Sequence, residues 1–283
     1  PLDLPIPGAS IIWGDVWQSN DQGQTWNMVL ADAESAGLWK NRSYFQAVEK
    51  GGYMYIIGGQ NFIVENNECP PFPVTPPCPE VVANSEFFND VWRSNDGINW
   101  ESMTLAAPWE GRAGLSAVAL GNDLYVMAGS QNDDSAVVEG PAPRIYFNDV
   151  WKSSDDGATW TQMTATAPWA KRAGGVAIVK DGAILMIGGE AGFVGPYFND
   201  VWSSVNGVAW TALTTDAGWS PRPGHKCGLV TGEIVCFGGF GLITNPMDMW
   251  SSADGANWTD LQQVPWNAAA PGEIKYDFDV VTT

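Results

Sequence analysis

One histidine in 283 residues removes a good deal of chemistry at the outset. Zinc has no ligand cluster, and a Ser-His-Asp triad has a single possible base with no nucleophile motif around any serine. Basic residues are also few, 13 against 32 acidic, for a formal charge of -19 and a pI near 4.1. A surface of that sign repels phosphate backbones and anionic lipid, so nucleic acid is not an expected partner. No segment approaches eighteen uninterrupted apolar residues, so no membrane insertion is expected. The acidic residues are dispersed, so the chain reads as a soluble globular protein and not as a disordered tail. No signal peptide is recognisable and the first residue is Pro1, which reads as a processed chain or a portion of something longer.

What is abundant is tryptophan, sixteen residues, and it is ordered. Five segments align: GDVWQSNDQGQTW (14–26), NDVWRSNDGINW (89–100), NDVWKSSDDGATW (148–160), NDVWSSVNGVAW (199–210) and MDMWSSADGANW (247–258). A third Trp follows each: Trp39, Trp109, Trp169, Trp219 and Trp266. The first Trp recurs after 75, 59, 51 and 48 residues, a spacing that converges on the length of one four-stranded propeller blade, about 50. Three residues past the third Trp stand Arg42, Arg112, Arg172 and Arg222. Two short apolar runs around a two-residue turn come next, with turns at Gly51-Gly52, Gly121-Asn122, Asp181-Gly182 and Thr231-Gly232. Each second run ends in a small pair: Gly58-Gly59, Ala128-Gly129, Gly188-Gly189 or Gly238-Gly239. Each unit therefore reads as strand 1, tight turn, strand 2, variable loop, strand 3 on the DVW motif, tight turn, and strand 4 ending at the second Trp.

Arg at the head of strand 1, a glycine pair closing strand 2 and a Trp in strand 4 resemble the kelch repeat, most closely over RPGHKCGLV–GEIVCFGGF (222–240). The likeness, of the galactose oxidase central-domain kind, covers nearly the whole chain and implies a β-propeller. A second likeness lies inside it: SNDQGQTW (19–26) and SSDDGATW (153–160) resemble the Asp-box turns of sialidase-type propellers. The other three copies are one residue shorter and depart from that pattern. Asp-boxes are structural in that family, so no sialidase activity is implied.

The expected fold is all-β, a single domain over 1–283: a five-bladed β-propeller of four-stranded antiparallel blades, at 42–100, 112–160, 172–210, 222–258, and 272–283 plus 1–26. The tail GEIKYDFDVVTT alternates Ile274, Tyr276, Phe278 and Val280 and reads as the missing strand 1 of the fifth blade. Residues 2–8 supply a poor strand 2, since Pro5 and Pro7 confine it to an irregular role. Pairing the N- and C-terminal strands closes the ring and removes open edges.

In such a blade the 1–2 and 3–4 turns share one face, and the 2–3 loops and 4–1 connections share the other. The first face is all tight turns, and every long segment falls on the second, so binding is expected there. Arg42, Arg112, Arg172 and Arg222 begin the innermost strands and would ring the mouth of the channel on that face. They either hold a carboxylate or sulfate of a ligand, or tie the blades together through carbonyls and Asp side chains. Trp109, Trp169 and Trp219 either present flat rings to a sugar or plug the blade junctions. Cys69 and Cys78 flank a proline-rich stretch and are expected to form a disulfide. Cys227 and Cys236 face each other across a hairpin, as a second disulfide or as a reduced apolar pair. Two local disulfides favour a secreted or cell-surface protein, and Asn41 and Asn257 stand in possible glycosylation sequons.

Catalysis needs convergent unlike groups, and a repeated set does not supply them. The copper site of galactose oxidase requires two His ligands and this chain holds only His225. No catalytic residue, metal ligand or cofactor is assigned; calcium at QNDDS (131–135) or VENNE (64–68) lacks the EF-hand spacing. The leading expectation is an extracellular module binding a protein or glycan through the loop face, in some cases within a larger assembly. The alternative is a carbohydrate-active enzyme, a glycoside hydrolase or sugar epimerase, with paired carboxylates in a central pocket.

Overall fold

The computed structural model describes residues 12–61, 63–66, 81–132, 143–192, 194–241 and 246–262. Among them there are strands and turns and no helix. Four antiparallel sheets have four strands each, paired in chain order. The first comprises Gln46–Lys50, Tyr53–Ile57, Val91–Ser94 and Glu101–Thr104; the second Ser116–Leu120, Asp123–Met127, Val150–Ser153 and Thr161–Thr164. The third comprises Val176–Lys180, Ala183–Glu190, Tyr197–Ser204 and Thr211–Thr214; the fourth His225–Val230, Glu233–Gly238, Met249–Ser252 and Thr259–Asp260. Five such sheets were expected. The N-terminal repeat contributes a two-stranded sheet, Val16–Gln18 with Asn27–Leu30, and the partners assigned to it at 2–8 and 272–283 lie outside the described residues.

The chain gathers into two compact units: Pro1–Leu115 with Ser130–Ile145 and Ser153–Trp160, and Ser116–Gly129 with Tyr146–Lys152 and Thr161–Thr283. The first holds the two-stranded sheet and the first four-stranded one. The second holds the other three apart from Ser153.

Strand 1 and strand 2 meet in register across every two-residue turn, down to Val230↔Glu233 in the fourth sheet. Thr231 takes φ 50° beside Gly232 at 87°, so this turn adopts a left-handed bend without the residue pair that favours it. Strand 4 corrects the expected pattern. It begins after the second Trp, as at Thr211–Thr214 behind Trp210, rather than ending on it. The Trp belongs to the 3–4 turn, where its indole N–H donates to the glycine carbonyl: Trp100 to Gly97, Trp160 to Gly157, Trp210 to Gly207 and Trp258 to Gly255.

That turn is built on Ser and Asp. Ser94 Oγ accepts from the amides of Asp96 and Gly97, and the Asp96 carboxylate accepts from Ile98 and Asn99. The longer copies insert one residue at positive φ, Gln22 at 58° and Asp156 at 63°, and use a Thr hydroxyl where two of the shorter ones use Asn99 and Asn257 and the third has Ala209. These bonds hold the Asp21 and Asp254 carboxyls at about 2: for Asp21 the Thr25 side chain is the main donor, for Asp254 the Asn257 amide.

Candidate functional site

Each residue of the N-D-V-W motif has one task. The Asn side chain ties down the 4–1 connection: Asn89 donates to the Ala107 and Trp109 carbonyls, Asn148 to those of Ala167 and Trp169, and Asn199 to Trp219. The Val is fully buried at 91, 150 and 201. The Trp donates its indole N–H to the Asp two residues back, in all five repeats. The Asp then faces the arginine that heads strand 1.

Those arginines are buried. Arg42 Nη1 and Nη2 fork onto Asp90 at 2.5 and 2.8 Å, Nη1 also donates to the Gly58 carbonyl, and Nε donates to Lys40 O. Arg172 repeats this with Asp200, Gly188 O and Ala170 O, and Arg222 with Asp248, Gly238 O and Ser220 O. Phe88 and Phe198 lie 4.2 Å from the guanidinium carbons of Arg42 and Arg172. Arg112 is likewise buried and donates Nε to Glu110 O. Bidentate pairing of this kind is the strongest geometry available to a guanidinium, and desolvation makes each half depend on the other. Burial acts to raise the Asp248 carboxyl, but hydrogen bonds from Arg222 and Trp250 outweigh it and keep it below the ordinary value.

Trp109, Trp169 and Trp219 are at most 3% exposed. Each packs edge-on against an indole of the following repeat: Trp109 on Trp160, Trp169 on Trp210 with centroids 4.3 Å apart, and Trp219 on Trp258. Trp39 does the same with Trp92 and Trp100. A sugar reaches none of these rings without displacing protein.

In the second unit Trp219, Arg222, His225, Cys236, Phe237 and Trp250 line a cavity of about 10 Å³, room for one water. His225 is fully buried, its Nδ1 3.2 Å from the Arg222 carbonyl. Burial is the main cause that pushes its pKa down to about 3, and the Arg222 charge adds to it, so the ring is neutral. The ring packs on Gly188, as Leu115 packs on Gly58 in the first unit; a Cβ at either glycine would lie 2.7 to 3.0 Å from it. Cys227 and Cys236 are cross-strand partners and form a disulfide. The expected Cys69–Cys78 pair lies outside the described residues, as does most of each calcium segment.

The two sequon asparagines are placed differently. Asn257 Nδ2 donates to Asp254 in the turn, as Asn99 does to Asp96 where no sequon exists. Asn41 Oδ1 is buried against Gly14, filling space that the Asn of later repeats takes up. Among the described residues no cluster of His, Cys, Asp and Glu is placed to hold a metal. Among the described residues the carboxyls that depart from ordinary values, Asp21, Asp96, Asp155, Asp156, Asp248 and Asp254, all depart downward.

Sequence reasoning quoted Asp90, Asp200 and Asp248 inside the motif without assigning them as arginine partners; their constant distance ahead of the Trp was the available signal. Tyr44 was passed over altogether. Its signal was the glycine at the same place in the other repeats, Gly114, Gly174 and Gly224.

No protein-family model matches the chain, and no curated protein does. Among solved structures, the one described as "Structure of YjhT", a propeller, is similar with a TM-score of 0.65 and 17% identity. The match covers 89% of this chain and 78% of that one, and it shows that the fold is a β-propeller of four-stranded antiparallel blades.

Proposed function

We propose that the protein is an extracellular kelch-type propeller that binds a protein or glycan through the face bearing the 2–3 loops and 4–1 connections. One observation carries the reading. The polar groups that recur, Asn, Asp, Arg and the turn Ser, are spent on internal bonds, while the loops differ in every repeat. In the loop at 60–86, Gln60–Asn61 pairs with Glu86–Phe87 and Val64–Asn66 with Val81–Ala83. In the repeat at 130–146 a shorter one pairs Ser130–Gln131 with Ile145–Tyr146. The disulfide, and the lack of any described helix long and apolar enough to cross a membrane, are consistent with an extracellular location. Arg42, Arg172 and Arg222 act in this reading as struts beneath the surface.

We also infer that the ring has five blades, with 272–283 and 2–8 completing the sheet begun by 16–30. Trp17 and Trp26 are 49% and 57% exposed where Trp92 and Trp160 are 8%, and Phe45 is 36% exposed where Leu115 is 1%. In this reading the added strands cover those faces. Screening glycan and peptide arrays with the protein and with a variant whose residues 62–84 are replaced by a two-residue turn tests the binding reading. Loss of a specific signal in the variant supports it; an unchanged signal, or none for the parent, overturns it.

A further inference from the structure

Asn206-Gly207 is the one Asn-Gly pair in the chain. It lies in the 3–4 turn of the third sheet, where Asn206 is exposed and the flanking Val205 and Val208 are 70% and 50% exposed. The other four repeats place Asp there, at 21, 96, 155 and 254.

The glycine half of the pair is fixed by the fold. Gly207 takes φ 74°, and a Cβ on it would lie 2.9 Å from the Tyr125 ring. The asparagine half is a departure. In the other turns a second side chain binds the carboxylate: Thr25, Asn99, Thr159 or Asn257. This turn has Ala209 instead, which offers no such partner. Asn206 is held through Oδ1, by the amides of Val208 and Ala209 at 2.9 and 3.3 Å and by the Ser204 hydroxyl at 3.4 Å. An Asp at this point resists attack by the next backbone nitrogen because it is an anion. Asp254, also followed by glycine, is held at about 2 by the Asn257 amide. The Asn206 amide is a neutral electrophile, and glycine puts no Cβ in the way of ring closure.

We propose that Asn206 is a deamidation site guarded by Ser204. The Gly207 nitrogen loses its proton to solvent base and attacks Cγ of Asn206. The N–Cγ bond forms, the Cγ–Nδ2 bond breaks, and the amide group leaves as ammonia with a proton from water. Water then opens the succinimide at either carbonyl. One product is aspartate; the other is isoaspartate, in which the chain runs through the former side chain and gains a methylene. Ser204 opposes the first step at both reacting groups. Its Oγ accepts the Gly207 N–H at 2.8 Å and its hydroxyl donates to Asn206 Oδ1, so reaction waits on local opening of the turn. The products differ in consequence. Aspartate restores the residue of the other repeats. Isoaspartate lengthens the turn that carries Trp210, whose indole donates to Gly207 O and packs edge-on against Trp169.

The test incubates the full chain at pH 8, in buffer and in urea, and follows Asn206 by peptide mapping with mass spectrometry. In urea Asn206 is expected to convert ahead of Asn99 and Asn257, which precede tryptophan. Conversion no faster than theirs overturns the site. In buffer the parent is expected to convert at least ~10-fold more slowly than in urea. Ser204→Ala in buffer is expected to convert about 3- to 10-fold faster than the parent, the factor for one hydrogen bond lost from the turn. Equal rates in buffer and urea, a comparison that needs no variant, overturn the guard, as does a Ser204→Ala rate equal to the parent's. Asn206→Asp is expected to keep the parent's unfolding midpoint or raise it. The isoaspartyl form, isolated by chromatography, is expected to unfold at lower urea; an unchanged midpoint overturns the link from the turn to Trp169.

Discussion

His225 is the chain's only histidine, so between pH 5 and 8 few other side chains change protonation. Its pKa falls from 6.5 to about 3 on folding, chiefly by burial. Above pH 6.5 the ring is neutral in both states and contributes no pH dependence. As the pH drops below 6.5 the unfolded chain takes up a proton that the folded one refuses, so stability falls and levels off only near pH 3. At pH 5 the unfolded ring is about 30-fold more protonated than neutral, which amounts to about 2 kcal/mol of lost stability relative to pH 8. Any folded value well under 5 yields the same figure. The comparison variant is His225→Leu, since leucine already fills the matching place against Gly58 at Leu115. Urea unfolding of both proteins at pH 8 and pH 5 isolates the histidine, because every carboxylate and the α-amino group cancel in the difference. The parent is expected to lose about 2 kcal/mol more than the variant over that interval. A gap that stays constant within about 0.5 kcal/mol would refute the reasoning, and with it the neutral buried ring.

The arginine forks predict a graded series. Asp200→Ala leaves a buried guanidinium without its partner and is expected to cost about 3 to 5 kcal/mol, by chemical denaturation. Asp248→Ala is expected to cost less, because the Asp248 side chain is 30% exposed against 16% for Asp200; the reverse order would contradict the burial argument. Trp169→Ala removes a ring packed against Trp202 and Trp210 and is expected to cost about 3 to 5 kcal/mol, read from the same transition. Cys227→Ala with Cys236→Met reproduces the pair Ala177 and Met186 of the third sheet and should fold. Closing a loop of about ten residues is worth at most ~2.7 kcal/mol. Without reductant the double variant should therefore be less stable than the parent by no more than that amount, read as the difference in unfolding free energy; a larger loss would contradict the estimate.

Repetition is what made the interior legible. Asn, Asp, Val, Trp and Arg recur at fixed places because each blade presents the same contacts to its own loop and to the next repeat, so alignment within one chain does the work of a family comparison. The strand-4 boundary was misread because the second Trp is held by a turn carbonyl, and hydrophobicity alone does not separate a turn residue from a strand residue. The arginines were legible in position and ambiguous in role. A ring of guanidinium groups and a set of buried forks have the same sequence, and only the carboxylate opposite Arg42, Arg172 and Arg222 decides between them.

The same logic locates recognition. A contact repeated in each blade satisfies a need that each blade has, and a ligand meets only one side of the molecule. Specificity must therefore come from positions where one repeat breaks the pattern at a cost. Tyr44 breaks it at a left-handed backbone position and stays 42% exposed. Gly14 and Asn41 break it too, but compensate each other inside the fold. A departure that a neighbouring residue answers needs no partner to explain it.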